Sequence, residues 1–158
     1  MSVIAAEANV SKALLHYHFT DRSHLLAGVV TMLGERLVAR EQSAFEQGPA
    51  ASAIDLLWRW LEVELRRGEL RALLEFRTVR DATVHQALRE ANDARRAASS
   101  LTVSRLFARL DLTPRIATEL IGDATIAFVD GLALDYERTH DTRASFDVFW
   151  LAILSLAD

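Results

Sequence analysis

The amino-acid sequence predicts an all-α fold, and three observations carry that expectation. Only two prolines, Pro49 and Pro114, and six glycines punctuate 158 residues, whereas an all-β chain needs a turn roughly every ten residues. Leu, Ala, Arg and Glu dominate the composition, and these side chains lose little rotamer freedom in a helix. Apolar residues recur at spacings of three and four, the period of a helix with one face in a core. Hydrophobic residues make up 51% of the chain, enough for one good core or two small ones packed together.

Taken in order, Ser2 to Ala8 reads as a short helix. Asn9-Val10-Ser11 reads as a tight turn, because Asn tolerates a left-handed backbone and Ser caps the helix that follows over Lys12 to His18. Thr20-Asp21 offers the next cap, and Leu25, Leu26, Val29, Val30, Leu33, Leu37 and Val38 carry a long helix to about Phe45. Gln47-Gly48-Pro49 breaks it, since Gly favours a helix end and Pro cannot continue one. The expected boundary therefore divides residues 1–45 from residues 46–158.

In the second part, Ile54, Leu57, Trp58, Leu61 and Leu65 form one apolar stripe and Leu56, Trp60 and Val63 another. Such a helix is expected to lie centrally, ending near Gly68. Two helices follow over Leu70–Val79 and Val84–Leu110, the latter with Arg89, Asp93, Arg95 and Arg96 expected on a solvated face. Thr113-Pro114 reads as a cap with Pro at the first helical position, opening a helix to about Tyr136. Beyond the polar stretch Glu137–Arg143, a last helix is expected over Ala144–Ala157.

Composition excludes several functions. Without cysteine there are no disulfides, no thiol catalysis and no cysteine-ligated zinc or iron–sulfur site. The longest apolar run, Val148–Leu154, falls far short of the roughly 20 residues that span a bilayer. No basic leader followed by an apolar run opens the chain, so a cytoplasmic location is expected. A formal net charge of −4 argues against coating nucleic acid over the whole surface but leaves room for a small local reading head.

The first 26 residues carry the strongest pattern. Ile4 and Ala8 lie one turn apart on the first helix, Leu15 and Phe19 one turn apart on the second, and Val10 plugs the corner. Small Ala5 lets the helices cross closely, which leaves Lys12, Ala13, His16 and Tyr17 on an outer face. The spacing matches a helix-turn-helix, whose second helix enters a major groove; by itself it equally matches any two short amphipathic helices. The continuation from Val10 through Ser11, Lys12, Ala13, Leu14, Leu15, His16, Tyr17 and His18 to Phe19, with Leu25-Leu26 after Thr20-Asp21-Arg22, closely resembles the signature of TetR-like transcriptional regulators.

That resemblance implies an all-helical homodimeric repressor with a partial DNA-binding domain in residues 1–45 and a ligand-binding and dimerisation domain in residues 46–158. The family's DNA-contacting positions fall here at Ser11, Lys12, Ala13, His16, Tyr17 and His18, with Arg22 near a phosphate. Its implied partners are a palindromic double-stranded operator and a small apolar or aromatic inducer. Asn9 stands where the family has a turn glycine, Thr20 where proline is common, and Leu14 where a small polar residue is frequent. The family has one more helix before this segment; without it the two short helices stand on a partial core, and their formal charges, Glu7, Lys12, Asp21 and Arg22, cancel. Weak DNA binding is expected until a first helix is restored. The alternative is a dimeric ligand-binding or scaffolding bundle that does not bind DNA.

Other constellations carry less. His16, His18 and His24 lack the carboxylate or cysteine that would complete a zinc set. Glu137-x-x-His140 is a single copy of an element that di-iron bundles need twice. Asp81 with His85 reads as a surface pair, and no nucleophile elbow or phosphate-cradling loop occurs. No enzyme, metal or cofactor is expected. Trp58, Phe76, Phe107 and Phe128 are placed around an inducer pocket, with Arg77, Arg80 and His85 as polar neighbours. Ile121, Phe128 and Leu132 on one of the last helices, with Phe149, Trp150 and Ile153 on the other, exceed what one bundle is expected to bury and mark a dimer interface.

Overall fold

A computed structural model describes residues 1–46, 53–136, 138 and 142–158. These form eight α-helices and one 3-10 turn, with no strand among the described residues. The helices are α1 (Ser2–Glu7), α2 (Lys12–His18), α3 (Arg22–Glu46), α4 (Ala53–Arg67), α5 (Glu69–Glu75), α6 (Ala82–Arg109), α7 (Thr118–Asp135) and α8 (Thr142–Leu154), and the 3-10 turn spans Phe76–Thr78. Among the described residues no helix is long and apolar enough to cross a membrane. Gln47-Gly48-Pro49 and the Glu137-x-x-His140 element lie outside the described residues, as does the 45/46 boundary's continuation to residue 52.

Local signals place most helix ends. Asn9 takes the left-handed conformation at φ 52°, which its short polar side chain tolerates. The Ser11 Oγ accepts the Leu14 N–H and caps α2, and Asp21 Oδ1 accepts the His24 N–H to cap α3. Gly68, at φ 70°, turns the chain between α4 and α5. Thr113-Pro114 is a correction. Rather than opening a helix, this pair lies extended against the C-terminal segment, with the Thr113 N–H donating to the Asp158 carbonyl and the Arg115 N–H to the Leu156 carbonyl. The fixed φ of proline suits an extended strand edge as well as a first helical turn, and α7 starts four residues later, at Thr118.

The central helix is α6, not α4. It packs along α3 on one side and α7 on the other, because small residues let backbones come close there. A Cβ on Gly34 of α3 would stand 2.7 Å from the Ala91 Cβ, and one on Gly122 of α7 would stand 2.8 Å from the Ser100 backbone nitrogen. Leu57, Leu61 and Leu65 bury the inner stripe of α4, while Val63 of the second stripe faces out. Val30, Leu33 and Leu37 of α3 join the same core as Leu106, Phe107, Val129 and Trp150. The long third helix thus belongs to the large bundle through most of its length, and α1 and α2 pack chiefly on each other.

Candidate functional site

Two regions concentrate polar chemistry, an exposed face on α2 and a buried cavity in the bundle. Ala5 is the buried residue of α1, while Ile4, Val10, Leu15 and Phe19 are half-buried around it. Ala8, expected on this inner face, is exposed. Lys12, Ala13, His16, Tyr17 and His18 all project from α2 into solvent, Tyr17 being 84% exposed. Ser11 and Arg22 are exposed at the two ends of the same segment. His24 approaches Asp21 at 3.1 Å. That pairing, led by the backbone hydrogen bond from His24, holds the Asp21 carboxyl below the usual range.

A polar contact ties the start of α3 to the start of α6. Ser23 Oγ, in the first turn of α3, donates to Asp81 Oδ2 at 2.6 Å. The other oxygen of Asp81 caps α6 by accepting the Thr83 and Val84 N–H groups. The hydrogen bond from Ser23 lowers the Asp81 pKa. A rotation of α6 at this end would therefore be felt at the start of α3.

The cavity lies among α3, α4, α6, α7 and α8 and measures about 30 Å³, room for one or two waters rather than a ring. Its apolar wall includes Leu61, Phe128, Phe146 and Trp150, and its polar wall is Glu41, Arg95, Ser99 and Thr102. The Trp60 indole N–H, which also lines it, has no hydrogen-bond partner among the described residues. Of the four aromatic residues expected around a pocket, only Phe128 lines this one. Phe107 is a fully buried core residue and Phe76 packs at the edge of that core. Trp58 packs behind Phe146, with ring centroids 5.2 Å apart, beneath the Arg143 guanidinium. Arg77 is half-exposed and bonds Asp130 at 2.8 Å, and neither Arg80 nor His85 lines the cavity.

Arg95 is the largest correction on α6. Expected on the solvated face, it is 3% exposed, and its guanidinium donates to Asp130 at 2.6 Å. Arg95, Ser99 and Thr102 follow one another at helical spacing, a polar stripe that reads as an inner wall only once α7 supplies Asp130. A second buried carboxylate, Glu64, is gripped by both Arg40 Nε and Nη2 at 2.6 Å.

Glu41 has no such grip. Burial pushes its carboxyl up to about 7 from an ordinary 4.5, against the opposing pull of the Thr102 hydrogen bond and the Arg95 charge. The folded chain thus holds this proton more tightly than the unfolded chain. The resulting stabilisation is complete below about 4.5 and is lost as pH rises through about 7. The melting temperature of Glu41→Gln should therefore gain on that of the wild type as pH rises, by roughly 5–10 °C between pH 5 and 8. Parallel curves for the two proteins would show that Glu41 does not titrate in this way.

The expected dimer residues also need correction. Ile121, Leu132, Trp150 and Ile153 are buried within the single chain, Ile121 to 2% exposure. Phe128 and Phe149 are half-buried and stack at 4.2 Å. The uncovered apolar face is the opposite one: Leu120, Ala127 and Leu134 on α7, with Val148 and Leu151 on α8. No protein-family model matches the chain, and no curated protein matches it at a significant level.

Proposed function

We propose that the chain is a ligand-responsive, DNA-binding transcriptional regulator of the TetR-like kind, acting as a homodimer. The observation that carries the reading is the short α1, the left-handed turn at Asn9, the Ser11 cap and an α2 whose Lys12, His16 and Tyr17 all face solvent. A helix held this way can enter a major groove, with Lys12 and Arg22 on phosphates and Tyr17 and the histidines on phosphates or base edges. Leu120, Ala127 and Leu134 repeat every seven residues on the outside of α7, the spacing of a helix seam. Together with Val148 and Leu151 they support pairing with a second copy. Two α2 helices would then sit in successive major grooves roughly 34 Å apart.

DNA binding is expected to be weak and steeply salt-dependent, because the residues around α2 carry little net positive charge and each neutralised phosphate contributes through counterion release. Selection from random duplexes at low salt should return a palindrome, and Lys12→Ala and Tyr17→Ala should each weaken binding to it several-fold. Leu151→Glu should dissociate the dimer on sedimentation at micromolar concentration and abolish palindrome preference while leaving helicity intact. A wild-type chain that sediments as a monomer rejects the dimer. A dimer with no preference among duplexes rejects the regulator and leaves a ligand-binding or scaffolding bundle.

A further inference from the structure

The cavity contains a buried acid that forms no ion pair among the described residues. Glu41, on α3, is 7% exposed and lines the cavity. Its carboxyl takes a hydrogen bond from Thr102 of α6, and no cation is paired with it among the described residues. The nearest candidates are occupied. Arg95 of α6 is held by Asp130 of α7, which also takes Arg77. Arg40, the neighbour of Glu41 on α3, is held by Glu64 of α4 and Glu69 of α5. The remaining cavity-lining side chains, of α4, α5, α7 and α8, are uncharged. A carboxylate taken from water without a counter-ion must find a proton or a cation.

We infer that this cavity takes the protonated nitrogen of a small aromatic or alicyclic amine, with its ammonium against Glu41 and its apolar body among Phe128, Phe146 and Trp150. The inference rests on the reading of the bundle as the sensing half of a regulator, and it names the ligand class. A volume of about 30 Å³ admits an ammonium-sized group and not a ring, so the body must displace an aromatic wall. Phe128 is the wall placed to move, since in the single chain it also borders a groove with Val148 and Phe149 on the outer side of α7 and α8, beside the surface proposed to pair with a second copy. The aromatic faces favour a cation as well as an apolar body. An anionic ligand would meet Glu41 with like charge, and the Arg95 guanidinium is already hydrogen-bonded to Asp130.

The test titrates the full chain with 2-naphthylmethylammonium and its isosteres 2-naphthylmethanol and 2-naphthoate, following tryptophan fluorescence and melting temperature. Trp60 and Trp150 line the cavity and report directly. At about pH 8 the amine should bind roughly tenfold more tightly than the alcohol, and the naphthoate should be the weakest of the three. The amine should weaken several-fold at about pH 6, where Glu41 holds its own proton, while the alcohol does not change. Glu41→Gln should remove the preference for the amine. Equal binding of amine and alcohol, strongest binding of the naphthoate, or no binding at all overturns the inference. If the Gln variant does not fold, the pH dependence of the unmodified chain decides the matter in the same way. Amine binding with the expected preference but no effect on DNA affinity keeps this site and removes the regulatory reading. Palindrome binding with no amine binding does the reverse.

Discussion

Asp130→Ala is expected to destabilise the chain by about 3–5 kcal/mol, enough to unfold a large fraction of it. Asp130 is buried on α7 and accepts from Arg95 at 2.6 Å and from Arg77 at 2.8 Å. Removing the carboxylate leaves the Arg95 guanidinium, itself 3% exposed, without its hydrogen-bonded partner in a region of low dielectric. Arg77→Ala should cost far less, because its side chain is 50% exposed and a solvent-exposed pair contributes at most about 1 kcal/mol. Replacing both buried partners, as Asp130→Leu with Arg95→Met, should recover most of the loss, since an apolar pair of similar volume has no charge to desolvate. Urea unfolding followed by circular dichroism measures all three. A single Asp130→Ala variant within about 1 kcal/mol of the wild type would show that Arg95 finds water or another partner, and would remove the ion pair from the account of how α6 and α7 are held together.

The same pair marks where the sequence could be read and where it could not. Signals acting within a few residues were legible: the Asn9 turn, the Ser11 cap on Leu14 N–H, the Thr20-Asp21 start of α3 and the Gly68 break. They are local because the groups that satisfy one another lie within one helical turn. Arg95 was not legible, because an arginine among Arg89, Asp93 and Arg96 has the local pattern of a solvated face, and its acceptor stands 35 residues away. Glu41 and Trp60 were missed for a related reason. They become cavity residues only when α3 and α4 close over α6, and neither belongs to a motif. The dimer residues failed differently. Both faces of α7 and α8 are apolar, so counting hydrophobic residues could not say which face α6 would cover. The structure covers Ile121, Leu132, Trp150 and Ile153 and leaves Leu120, Leu134, Val148 and Leu151 exposed.

The choice of face is enforced at the crossing of α6 and α7, where Gly122→Val should cost about 3 kcal/mol, the upper end for overpacking. A Cβ at Gly122 would lie 2.8 Å from the Ser100 nitrogen and 2.9 Å from its Cα. These are backbone atoms in the middle of a 28-residue helix, so no rotamer change can relieve the clash. The two helices must separate, which would also stretch the Ser99 hydroxyl's 3.2 Å hydrogen bond to the Gly122 carbonyl and disturb the nearby polar wall of the cavity. Gly131, on the same helix but on the outward face, provides the control: nothing lies within 4 Å of its would-be Cβ. In the isolated chain Gly131→Ala should gain up to about 1 kcal/mol, because alanine orders in a helix at less entropic cost than glycine. Denaturant unfolding under dissociating conditions measures both, and opposite signs are the expected result. If Gly122→Val is tolerated, α6 and α7 do not cross as closely as described, and the cavity beside them has a different shape. If instead Gly131→Ala weakens only self-association through the proposed dimer face, measured by sedimentation alongside unfolding, then Gly131 is itself a point of close approach between two copies of α7.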